Sequence, residues 1–98
     1  MLVQLRTYTL VAGAGPDWER VFVDHIRPIR ESLGFTVPAA WSDPEADRFT
    51  WLMAFAGDRA AWDAADAAFH ASPARRALAP DPAGLIVSIE TRFVQWVG

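Results

Sequence analysis

The chain contains no cysteine, no lysine and no long apolar run. Without cysteine, a disulfide framework, thiolate chemistry and a zinc-cysteine site are all excluded, and a cytoplasmic protein is expected. No stretch approaches the roughly 20 apolar residues that a bilayer-spanning helix needs. The N-terminus opens into an alternating segment that carries Arg6, not a basic stub ahead of an apolar run, so neither a targeting signal nor a membrane segment is expected. All nine basic residues are arginine, scattered from Arg6 to Arg92 with only Arg75 and Arg76 adjacent, and the net charge is -3. No basic stripe is available to follow phosphates, which argues against nucleic acid as a partner. Tight His/Asp/Glu spacing is also missing, since His25 and His70 fall on separate predicted helices, so no metal and no other cofactor is expected.

What the chain does have is aromatic side chains: five tryptophans, six phenylalanines and one tyrosine among 98 residues. This length makes one domain, residues 1 to 98, with a single core of two packed layers. A domain of this size hides only about 60 to 65% of its unfolded surface by itself. Part of the aromatic load is therefore expected to meet a partner or a ligand.

Alternation and the Thr, Tyr and Val content make residues 2 to 10 a strand, in which LRTYTL places Arg6, Tyr8 and Leu10 on one side and Leu5, Thr7 and Thr9 on the other. Neither side is plainly a wet face. After a glycine-rich break, Pro16, Asp17 and Glu19 suit a helix start, and Trp18, Phe22, Ile26, Ile29 and Leu33 recur at helical spacing up to Gly34, a natural left-handed cap. Pro28 inside that helix predicts a kink. Residues 35 to 42 form a second strand, placed on a sheet edge by Pro38. A third strand spans 48 to 56. Asp58 then N-caps a helix to Ala71 with Trp62 and Phe69 on its stripe, Ser72-Pro73 starts a short extra turn, and residues 85 to 97 form the last strand.

The order βαββαβ at this length is that of an α+β, ferredoxin-like fold, a four-stranded antiparallel sheet with both helices on one face. Two helices cover one face only, and the third and fourth strands show no consistently polar side. An identical chain packed face to face is expected to cover the other, giving a homodimer.

The sequence resembles the NIPSNAP family of the dimeric α/β-barrel superfamily over most of its length. The resemblance rests on Leu5-Arg6-Thr7-Tyr8-Thr9-Leu10 before a glycine turn and on Ile26-Arg27-Pro28-Ile29-Arg30 in a helix ending at Gly34. Ala40-Trp41-Ser42 before an acidic turn, and an aromatic third strand before Asp58-Arg59 and a helix stopping near Ser72-Pro73, complete it. Two positions depart from the family pattern: Gln4 stands where an acidic residue is common, and Ala74 follows Pro73 where a second acidic residue and then a tryptophan are usual. The resemblance implies a dimeric α/β barrel without an established reaction. Other branches of that superfamily include cofactor-free monooxygenases, polyketide cyclases, haem-degrading enzymes and muconolactone-type isomerases, and in the oxygenases and haem-degrading enzymes the reactive cavity lies between helices and sheet.

Within that frame, Arg6 and Tyr8 are candidates to hold a carboxylate or polarise a carbonyl oxygen, one by fixed charge and the other by a directed donor. Glu90 and Arg92 share a face of the fourth strand and are expected to join them in one cluster, either as a site or as a satisfied ion network. His25 is the candidate proton shuttle because imidazole titrates near neutrality. His70 is expected to cap its helix or face solvent. Trp41, Trp51 and Trp62, with Trp96, are candidates for an aromatic pocket, or alternatively for core and interface. Two functions follow: a protein or metal-free enzyme that takes a small hydrophobic oxygenated molecule in a helix-to-sheet cavity, with acid-base or oxygenation chemistry, and a non-catalytic homodimeric assembly module. A cavity of roughly 300 Å³ lined by these polar groups favours the first.

Overall fold

The computed structural model describes residues 1 to 98. Four strands, β1 (Leu2–Leu10), β2 (Phe35–Asp43), β3 (Arg48–Phe55) and β4 (Ile86–Val94), form one antiparallel sheet in the order β2-β3-β1-β4. This is the expected α+β, ferredoxin-like arrangement, with Pro38 on an edge strand as anticipated. The helices are α1 (Gly15–Val21), α2 (Arg27–Ser32), α3 (Arg59–Ala71) and α4 (Pro73–Arg76), and a 3₁₀ turn, Pro82–Leu85, leads into β4. Asp58 caps α3 by accepting from Ala61 N at 2.8 Å, and Ser72 caps α4 by accepting from Arg75 N at 3.1 Å.

The kink expected at Pro28 takes another form. A π-helical turn, Phe22–Ile26, joins α1 to α2, and Arg27 N–H reaches back five residues to Phe22 O. The widened turn gives the proline ring room, so the helix passes through Pro28 and ends at Gly34, whose φ of 98° is the left-handed cap read from the sequence. The fourth strand stops at Val94, three residues short of the expected end. Val94 already pairs with Val3, and β1 begins at Leu2, so the ladder runs out.

One face of the sheet carries the helices. Tyr8, Phe49, Trp51 and Met53 meet Trp18, Phe22 and Ile26 from the first helical segment and Trp62 and Phe69 from α3 in a single buried cluster. Its rings pack edge-on or tilted, as at Phe22–Phe49 (4.8 Å) and Phe22–Trp51 (5.0 Å), the arrangement that aromatic quadrupoles favour. The opposite face holds a separate small cluster of strand residues alone, Val3, Leu52 and Ala54 with Leu5 and Ala39 packed against them. The side of LRTYTL that carries Arg6 and Tyr8 therefore looks under the chain's own helices.

Candidate functional site: a donor-rich cavity beneath the helices

Alternation on β1 aligns Gln4, Arg6 and Tyr8 on the helix side. Arg6 Nη1 donates to Gln4 Oε1 at 2.6 Å, while Nε and Nη2 converge on the Tyr8 hydroxyl at 3.1 and 3.0 Å. Arg6 lies over the rings of Trp51 (5.2 Å) and Tyr8 (5.6 Å), so its charge rests on aromatic faces. Both of its hydrogen-bond acceptors are neutral, and it takes part in no ion pair. Gln4 supplies an amide oxygen where a carboxylate would neutralise the guanidinium.

Arg6 and Tyr8 border a cavity of about 120 Å³ together with Trp18, Arg30, His70 and Arg75. Ile26, Phe69, Ile86 and Ile89 supply much of its apolar wall. Arg30 is almost fully buried, 2% exposed. Its guanidinium stacks on Phe69 at 3.6 Å, and Nη1 donates to Asp66 Oδ1 at 2.6 Å. Burial pushes the Arg30 pKa below its ordinary value and Asp66 opposes that shift. His70 Nε2 lies 3.8 Å from the same Asp66 oxygen, and burial, assisted by Arg30, Arg75 and Arg6 and opposed by Asp66, lowers its pKa. At the mouth, Arg75 Nη2 binds Asp81 Oδ1 at 3.0 Å. Asp81 is held below the usual carboxylate range first by the Ala83 backbone N–H and then by Arg75.

Donors outnumber acceptors around this space. Trp18 Nε1 and Arg30 Nε are buried without a partner, as is Trp51 Nε1 beneath Arg6. Such buried donors are costly.

Proteins of known structure share this scaffold. An uncharacterized NIPSNAP domain protein from Burkholderia xenovorans is 21% identical, over 99% of this chain and 95% of its own, with a TM-score of 0.83. Two NIPSNAP family proteins from Agrobacterium tumefaciens, one of them described as of unknown function, are 23% and 16% identical over 96% and 98% of this chain and 86% and 85% of theirs, both with a TM-score of 0.83. The chain has the NIPSNAP fold. No family model and no curated protein matches the sequence.

The NIPSNAP fold redistributes the residues singled out from sequence. Arg6 and Tyr8 meet as expected. Glu90 and Arg92 do not join them: they stand opposite Thr7 and Leu5 on the other face, largely exposed, and lie 3.8 Å from each other. Cross-strand partners share a face, so the Arg6 side of β4 is occupied by Ile89, Thr91 and Phe93 instead. His25 lines a different depression, of about 450 Å³, between the π-helical turn and the loop before β4, and that space touches neither Arg6 nor Tyr8. His70 stands largely exposed at its helix end, as expected, and also borders the rim of the cavity. Trp51 and Trp62 are core, 0% and 3% exposed, with Trp62 packed on Phe35, Phe55 and Phe93. Trp41 pairs with Thr50 near the sheet edge and is 52% exposed, away from the cavity, and Trp96 lies beyond β4. The sequence reading missed Trp18, Arg30 and Arg75. The signal for Arg30 was an arginine four residues after Ile26, on the flank of an apolar stripe.

Proposed function

We propose that this protein belongs functionally with the NIPSNAP proteins and binds a small oxygenated acid in the cavity between its helices and sheet, working as a homodimer. One observation carries the reading: at the cavity Arg6 has only the neutral acceptors Gln4 and Tyr8. A carboxylate supplies the missing negative charge and accepts charge-assisted hydrogen bonds from the guanidinium. The Tyr8 hydroxyl accepts from Arg6 and keeps its own proton to donate to a ligand oxygen. His70, with its lowered pKa, is neutral at pH 7 and is the base available to any acid-base step at the rim.

The cavity falls short of the roughly 300 Å³ expected of a binding protein, and only Arg6 and Tyr8 of the candidate groups read from sequence line it, so any ligand there is compact. The assembly reading has its own support. On the helix-free face the half-buried Leu5 and Ala39 and the more exposed Val94 surround the buried Val3, Leu52 and Ala54, a surface that a second copy would close. A thermal-shift screen of small carboxylic acids on wild type and Arg6→Gln tests the binding reading. Stabilisation of wild type that is lost in the variant supports it, and no stabilisation by any acid removes it.

A further inference from the structure

The charges and size of the same cavity narrow the ligand further, granted that the cavity binds an acid at all. Three arginines border it. Arg30 is matched by Asp66 at 2.6 Å and Arg75 by Asp81 at 3.0 Å, which leaves the charge of Arg6 alone unmatched. With His70 neutral, one negative charge balances the site, and a second would have to displace Asp66 or Asp81 from its partner. Behind Arg6 the wall is aromatic and branched aliphatic, from Trp18, Ile26, Phe69, Ile86 and Ile89. The volume, about 120 Å³, approaches that of an engineered protein hole of about 150 Å³ that accepts benzene.

We infer that the ligand is a compact monocarboxylic acid whose body is a single ring or a branched chain of similar bulk. Its carboxylate sits on Arg6 and the Tyr8 hydroxyl, and its body fills the apolar wall. An acid as small as acetate leaves that wall unfilled, a dicarboxylate carries a charge with no free partner, and a neutral amide of the same shape leaves Arg6 unmatched.

Calorimetric titration of the full chain with benzoate, benzamide, acetate and phthalate distinguishes these cases. Benzoate is expected to bind at least tenfold more tightly than each of the other three. Gln4→Glu, which keeps the side-chain shape and places a carboxylate at the oxygen that Arg6 already holds, should reduce benzoate to the level of benzamide, and so should Arg6→Gln. If one of the two variants fails to fold, the other decides. Benzamide equal to benzoate, or acetate or phthalate as tight as benzoate, overturns the assignment of ligand class while leaving an acid site in place. No binding of benzoate, acetate or phthalate to wild type overturns both this assignment and the acid site beneath it.

Discussion

Two nitrogens of Arg6 converge on the one hydroxyl oxygen of Tyr8, at 3.1 and 3.0 Å. The pair is two residues apart on one strand, so the alternation that makes β1 also builds the floor of the site. The fork fixes the phenol oxygen as an acceptor, so the hydroxyl proton is not used in that contact.

Tyr8→Phe keeps the ring against Trp18 and Trp51 and removes the hydroxyl, both its proton and the oxygen that accepts from Arg6. Acid binding should weaken by about 1.5 to 3 kcal/mol, the range for a hydrogen bond to a charged group, and the Arg6 donors left without that oxygen should lower folding stability by about 1 to 3 kcal/mol. His25→Ala should leave acid binding unchanged, because His25 borders the other depression. Calorimetry on both variants checks the assignment, and equal losses in the two would contradict it.

Trp51 is 0% exposed and lies against Tyr8, Phe22 and the Arg6 guanidinium. Trp51→Ala should cost about 3 to 5 kcal/mol in denaturant unfolding. A loss under about 1 kcal/mol would mean that the ring is not core.

The lowered pKa of His70 makes stability depend on pH in a definite direction. Its folded value lies below 6.5, so as the pH falls the unfolded chain takes up the proton first. Its contribution to stability should decline as the pH drops through 6.5 and level off below the folded pKa. The side chain is largely exposed, so the effect is small. The comparison is the urea midpoint of wild type and His70→Asn between about pH 7.5 and about pH 5.5, and the variant should show the shallower fall.

Leu5 lies on the uncovered face, opposite Arg92 and Leu52. Leu5→Glu gives the folded protomer a cross-strand partner for Arg92 yet places a charge in the proposed subunit contact. Sedimentation at micromolar concentration should show a dimer for wild type and a monomer for the variant. A wild-type monomer would refute the homodimer.

The fold was legible because its signals are local. The parity of LRTYTL, the Asp58 and Ser72 caps and the Gly34 stop each act within a few residues, and together they specify strand and helix order. The site was legible only in part. Arg6 and Tyr8 share a strand, so their proximity follows from rise and alternation alone. Whether Glu90 and Arg92 join them depends on the register between β1 and β4, where a shift of one residue exchanges the faces. Arg75 and His70 reach the cavity through the packing of α3 and α4, and no sequence spacing encodes that.

The π-helical turn has a reach beyond its five residues. An α-helix advances about 100° per residue, so one extra residue in the turn rotates everything after it by about that angle. Uninterrupted winding would centre Ile29 and Leu33 on the sheet and swing Arg30 toward the flank. The surplus residue instead sets Arg30 inward, 2% exposed, and leaves Ile29 and Leu33 half-buried. Deleting the one position between Val23 and His25 would remove that surplus and restore plain α winding while keeping Arg30 in the chamber wall, so the bulge and the inward guanidinium are one and the same one-residue offset.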